Sequence, residues 1–158
     1  MTAHKTILAI VAGVMTLSAC GTRMSLEMIE SQISRCGDNP AYLDYREGKA
    51  RWNYTPGLEL RAYFDAYEKY GGQEIFEFSE KWYDGLIEED GTIRTYKLEN
   101  YSIDHICPGK SLLYLYDKTG KEKYLKAART LIEQLKTHPR TSEGAFWHKL
   151  VYPHQVWL

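Results

Sequence analysis

The feature that most constrains this chain is a repeated pattern of helix, glycine break and helix. Amphipathic helices paired in this way bury their apolar stripes only by packing on each other and on the next pair. From Glu122 to His138, Tyr124, Ala128, Leu131 and Leu135 fall on one stripe at helical spacing, with Leu125 and Ile132 beside it, and Pro139 stops the pattern. Upstream, Thr55-Pro56 reads as a capping hydroxyl followed by a first-turn proline. Leu60, Tyr63, Tyr67 and Tyr70 then form an apolar face until Gly71-Gly72. A second helix is expected from about Gln73 to Ile87, burying Ile75, Phe76, Trp82, Tyr83 and Leu86, and another over about Ser25 to Arg35.

The two halves match in outline. Pro56-Gly57 opens one unit as Pro108-Gly109 opens the next, and the segment from Gly72 to Ser79 resembles that from Gly120 to Ala127. The second copy is shorter by about one helical turn, so it reads as the same hairpin with a shorter first helix. Asp90-Gly91 signals a turn, and Thr92 to Ile103 lacks helical period. That stretch and Thr137 to Tyr152 form long loops after the two hairpins, and loops on one face of a stacked array commonly make its binding surface. The fold class is therefore all-α, an array of helical hairpins. Two and a half hairpins make an open arc, whereas a closed ring of six takes ~300 residues. Since the chain also finishes on the aromatic, apolar Tyr152 to Leu158, it reads as the N-terminal part of a longer protein.

The first residues read as a targeting segment. His4 and Lys5 precede an apolar run from Ile7 to Leu17, short of the ~20 residues needed to span a bilayer, and Leu17-Ser18-Ala19-Cys20 follows. This is the pattern of a lipoprotein signal, in which the cysteine thiol takes the lipid and small residues before it admit the peptidase. The expected organisation is a signal peptide at 1–19, a lipidated tether at 20–24 beginning with Cys20, and a helical domain from 25 to 158. The protein would be exported and held at a bacterial membrane by that anchor.

Charge is nearly balanced, 20 Lys plus Arg against 21 Asp plus Glu. No broad field exists to gather nucleic acid, so recognition of charge must be local. Cys36 and Cys107 would lie in an oxidising compartment, where they could pair or remain as two buried thiols. His148 and His154 flank Pro153 without any close-spaced ligand motif, so neither a metal site nor another cofactor is expected.

The segment Gly144-Ala-Phe-Trp-His-Lys-Leu-Val-Tyr-Pro-His-Gln-Val-Trp-Leu158 resembles the unsaturated rhamnogalacturonyl hydrolases, glycoside hydrolase family 105, as do Trp52-Asn-Tyr54 and Tyr101-Ser-Ile-Asp104. The likeness covers about residues 25 to 158, corresponding to the first half of a six-hairpin α/α toroid. It implies a glycoside hydrolase that releases unsaturated galacturonic acid from the nonreducing end of pectin-derived rhamnogalacturonan oligosaccharides. Water adds across the enol-ether double bond, and the resulting hemiketal opens and expels the rest of the chain, chemistry suited to a carboxyl group that alternates between acid and base.

By the same resemblance, Asp104 is an active-site aspartate that hydrogen-bonds the sugar or the water, and His148 and Lys149 recognise the uronate carboxylate. Tyr54 contacts substrate, with Trp52 near it, and Gln155 and Trp157 directly precede the position of the family's principal catalytic aspartate. That aspartate would follow Leu158, so residues 21–158 alone are expected to be inactive. Each of these residues also has a plainer reading: an aspartate ordering a turn, a solvated polar pair, aromatics packed in a core. Two other functions fit the pattern, an unsaturated glucuronyl hydrolase and a noncatalytic glycan-binding lipoprotein.

Overall fold

The computed structural model describes residues 24–44 and 48–156, so the segment read as a leader, Cys20, Trp157 and Leu158 lie outside the described residues. Five α-helices follow one another: α1 over 24–36, α2 Tyr54–Tyr70, α3 Gln73–Asp84, α4 Leu112–Thr119 and α5 Glu122–Thr137. Among the described residues no strand forms; isolated bridges pair Ile87 with Ile93, Arg140 with Phe146 and Lys149 with Tyr152. No described helix is long and apolar enough to cross a membrane.

The two hairpins are α2 with α3 and α4 with α5. Helix α2 ends where Gly71 turns to φ 80°, its N–H donating to the Tyr67 carbonyl at 2.8 Å. Helix α5 ends at Thr137 because His138, preceding a proline, is pushed to extended backbone (φ −61°, ψ 130°). Helix α3 is shorter than its sequence suggests and stops at Asp84, yet Leu86 and Ile87 beyond it are still buried.

Two sequence expectations need correction. Helix α2 begins at Tyr54, behind an Asn53 cap that makes no side-chain hydrogen bond, so Thr55-Pro56 is already inside the first turn. Helical N–H groups there have no intrahelical acceptor, and the proline loses nothing by lacking one. On α5, Ile132 is exposed and Leu135 only half-buried, while Gln134 takes the fully buried position. The stripe is rotated towards a polar side chain, which donates to the Ser102 carbonyl of the loop after α3.

The core interlocks through aromatic rings. Phe64 of α2 meets Phe76 of α3 at 5.7 Å between centroids and Tyr114 of α4 at 5.0 Å. Helix α1 adds Ile29 and Cys36 to the same core. Where α3 ends and α5 begins, Asp84 receives the Tyr124 hydroxyl at 2.5 Å, Lys121 at 2.7 Å and Lys123 at 2.9 Å, tying α3 to α5.

The stacking of one hairpin on the other turns on Pro108. It lies in a 3-10 turn, Cys107–Ser111, that leads straight into α4. Tyr83 of α3 donates its hydroxyl to the Pro108 carbonyl at 3.0 Å. Gly57 of α2 presses against the ring and backbone of the same proline, so closely that a Cβ on Gly57 would sit 2.7 Å from Pro108 atoms. The second copy repeats the device, since a Cβ on Gly109 would meet the Leu131 side chain of α5 at 2.4 Å. The repeated Pro-Gly pairs therefore mark points of close approach.

In an ordinary helix, replacing glycine by alanine stabilises by about 1 kcal/mol. At Gly57 the added methyl has only backbone and a proline ring to displace, so overpacking reverses the sign. Gly57→Ala is expected to destabilise the fold by about 1–3 kcal/mol in denaturant unfolding; a variant as stable as the parent would show that the crossing has slack.

Candidate functional site

The loops that follow the two hairpins meet. The Ile103 N–H donates to the His148 carbonyl at 2.9 Å, and the Leu150 N–H to the Asn100 carbonyl at 3.3 Å. These bonds bring Asp104, from the first loop, against His148 and Lys149, from the second. His148 Nε2 stands 3.2 Å from Asp104 Oδ1, and Lys149 Nζ 2.7 Å from Oδ2, so each carboxylate oxygen has its own donor. Burial pushes the Asp104 pKa up, but hydrogen bonds from Lys149 and His148, with their charges, outweigh it and hold the carboxyl below its ordinary 3.8. Asp104 is thus an anion across the neutral range.

These three residues line a cleft of about 490 Å³ with Tyr54, Ile103 and Cys107. Tyr54, half-exposed at the first residue of α2, brings an aromatic side chain with a hydroxyl to the lining. Burial raises the Cys107 thiol, Lys110 pulling it down and Asp104 adding to the rise, so its contribution is a neutral thiol. Cys107 and Cys36 are both free, which answers their possible pairing. Lys149 also lines a neighbouring cleft of about 380 Å³ bordered by Asn100, Ser102 and His105.

The other sequence candidates fall elsewhere. Trp52 is 1% exposed and sits in the core, stacked on Trp82 at 5.7 Å and edge-on to Tyr83 at 5.9 Å. It offers no face to a ligand, and its expected place among the substrate-contacting residues is corrected to a structural one. Its indole N–H donates to the His105 carbonyl at 2.7 Å, next to Asp104, and its backbone N–H to Thr95 Oγ1 at 2.8 Å. Gln155 is exposed and does not line the cleft; its carbonyl accepts the His148 N–H at 2.6 Å. His148 and Lys149 were expected to meet a uronate directly, yet both already hold Asp104. The His148 side chain is 9% exposed and that of Lys149 32%, so Lys149 is the one whose remaining N–H donors can reach a ligand.

Sequence reasoning missed a pair of residues behind the loops. Gln134, fully buried, accepts the Tyr96 hydroxyl at 2.9 Å and donates to the Ser102 carbonyl at 3.0 Å. Its amide nitrogen is also 3.2 Å from Nδ1 of His138, whose Nε2 lies 2.7 Å from the Trp147 carbonyl. Burial holds the His138 pKa below 6.5, the Trp147 carbonyl pulls it up and Arg140 pulls it down, so the ring is neutral near pH 7. The available signal was a glutamine and a histidine one turn apart beside an apolar stripe. Among the described residues no group of His, Cys, Asp and Glu could hold a metal ion.

An unsaturated rhamnogalacturonyl hydrolase, YesR of Bacillus subtilis (strain 168), is 28% identical over 137 residues, covering 83% of this chain and 36% of that protein. A solved structure of a family 105 glycoside hydrolase from C. acetobutylicum ATCC 824 superposes with a TM-score of 0.65 at 48% identity, over 68% of this chain and 30% of its own. The chain thus spans about a third of the length of these relatives. The family described as Glycosyl Hydrolase Family 88 matches residues 25–158, the whole stretch that carries both hairpins and the Asp104 cleft, and the chain belongs to that family.

Proposed function

We propose that this chain forms part of a glycoside hydrolase that removes unsaturated galacturonic acid from the nonreducing end of pectin-derived rhamnogalacturonan oligosaccharides by hydrating its double bond. The observation that carries the reading is the convergence of Asp104, His148, Lys149 and Tyr54 on one cleft, in a member of a glycosyl hydrolase family. In this reading the described hairpins are part of an α/α toroid. The same proposal keeps residues 1–19 as a lipoprotein signal and Cys20 as the site of a lipid anchor on the exported protein.

The substrate ring carries a carboxylate conjugated to an enol ether. Hydration delivers a proton to one alkene carbon and the oxygen of water to the other, which becomes a hemiketal; its opening releases the remaining sugar. Lys149 suits the carboxylate, because its ammonium is partly exposed and only one of its three N–H donors is needed by Asp104. Tyr54 suits the sugar's C–H face and one hydroxyl. Asp104, held ionised, suits the acceptor side of the reaction: it can take a hydrogen bond from the attacking water or a ring hydroxyl. An anion cannot supply the proton, so the reading gives that task to a second carboxyl group, the aspartate that the family resemblance places after Trp157-Leu158.

An unsaturated glucuronyl substrate presents the same unsaturated ring, because elimination erases the stereochemistry that separates the two uronic acids at C4. The alternatives differ at the glycosidic bond and in the sugar beyond it. Turnover of the two unsaturated disaccharides side by side, followed as loss of the enol-acid ultraviolet absorbance, discriminates them, and no turnover of either with measurable binding would favour a glycan-binding role.

Two outcomes are expected. In the full natural protein, Asp104→Asn should lower kcat by roughly 10²–10⁴-fold while the unsaturated disaccharide still binds; turnover at the parent rate would remove Asp104 from the chemistry. Lys149→Met should raise both KM for the unsaturated disaccharide and the Asp104 pKa, since burial then meets less opposition. Because the folded Asp104 value lies below an unfolded 3.8, its ionisation stabilises the fold above about pH 3.8, and that contribution fades as pH falls through the folded value. The stability gap between parent and Lys149→Met should therefore close on acidification, measured by urea unfolding at several pH values; a gap independent of pH would contradict the pairing.

A further inference from the structure

The hydrogen bonds behind the loops admit one arrangement of protons. The Ser102 carbonyl can only accept, so the Gln134 amide nitrogen is the atom facing it and His138 Nδ1, and the amide oxygen takes the Tyr96 hydroxyl. That nitrogen has two hydrogens to give, and Nδ1 must accept one. The imidazole proton is then on Nε2, where it donates to the Trp147 carbonyl at 2.7 Å. The two carbonyls held by this relay belong to the site's own segments. Ser102 is two residues before Asp104, and Trp147 directly precedes His148 and Lys149.

We infer that Gln134 and His138, on the last turn and cap of α5, are positioning residues that set the register of the Asp104 loop against the His148-Lys149 loop. Neither side chain lines the cleft, so both act through backbone. The inference rests on the reading that Asp104, His148 and Lys149 are the working groups. Apolar side chains of equal volume would fill the space behind the loops, but they would leave the Ser102 carbonyl with the His105 N–H alone and take from the part-buried Trp147 carbonyl its imidazole donor. Backbone carbonyls away from water seldom go without such donors. A relay with both amide hydrogens and both ring nitrogens committed has no slack to let one loop slide against the other.

Two amide replacements at His138 separate positioning from general support. His138→Gln carries its side-chain N–H about as far from the backbone as the imidazole Nε2, and can still reach the Trp147 carbonyl. His138→Asn has the same chemistry but is one methylene short. The readout is the Asp104 carboxyl titration by carbon NMR, because that group is held low only while Lys149 and His148 stay in place. His138→Asn is expected to shift the Asp104 midpoint upward, and His138→Gln to leave it near the parent's. Should His138→Asn fail to fold, Gln134→Met, which keeps the volume and withdraws both amide donors, takes its place with the same expected rise.

If the short and long amides behave alike, whether both shift the midpoint or neither does, the inference is overturned, whatever happens to the melting temperature. In the full natural protein the short amide should also lose roughly 10- to 100-fold in kcat on the unsaturated disaccharide, with the long one restoring most of it. Absence of turnover in the parent would sink the functional reading instead, leaving the Asp104 titration to decide this one.

Discussion

The close approach of Gly57 to Pro108 is the constraint on which the rest of the described structure depends. A hairpin of amphipathic helices can slide along its neighbour unless something fixes the contact, and here a missing Cβ lets a proline ring seat against helix α2. The Tyr83 hydroxyl then clamps the Pro108 carbonyl from α3. Once that point is fixed, the site is nearly assembled by chain connectivity. Tyr54 is one turn before Gly57, while Cys107 adjoins Pro108 and Asp104 lies one short turn before it. The cleft is where those two short arms come together.

Electrostatics in this molecule are local by necessity. With charges almost cancelling over the chain, a charged ligand would feel no long-range pull and would have to be held by a few donors placed well. The loops supply one carboxylate between two basic side chains, and the partial burial that pushes the Asp104 pKa up makes its two hydrogen bonds more valuable. Asp84 at the end of α3 shows the same balance: burial raises it, while Lys121, Tyr124 and Lys123 together hold it low. There the cluster fastens helices, because its lysines and tyrosine belong to one helix turn and leave no cleft between them. At Asp104 the donors come from a separate loop, and a space for a ligand remains.

The sequence made the hairpins legible because helical period and glycine breaks are local properties. Asp104, His148, Lys149 and Tyr54 could be singled out only through the resemblance to a family, since any one of them reads equally well as a turn residue or a core aromatic. Trp52 shows the limit of that route: the resemblance carries it in the same short motif as Tyr54, yet its ring is buried in the core against Trp82 and Tyr83. Gln134 and His138 escaped for the opposite reason. An apolar stripe is read by its hydrophobic members, and the polar residue at the buried position of α5 was passed over in favour of Leu135. Where a helix hides an amide instead of a leucine, the requirement comes from distant backbone, here Ser102 and Trp147, which no local pattern contains.

Strain in the backbone points to how firmly the loops must be held. Tyr101 and His154 both lie in the left-handed region, at φ 41° and 62°, one shortly before Ser102 and Asp104 and the other directly before Gln155, whose carbonyl takes the His148 N–H. Each such residue costs of order 1–3 kcal/mol, so neither turn would persist on local preference. The ring of each is anchored: Tyr101 stands edge-on to His138 at 5.6 Å with its hydroxyl on Thr137, and His154 meets Trp147 edge-on at 4.7 Å. The end of α5 thus restrains the first loop through Tyr101 as well as through Gln134, and the second through the Trp147 carbonyl. Two unfavourable turns are kept by contacts that converge on one helix end, and the loops keep their register only while that end stays ordered.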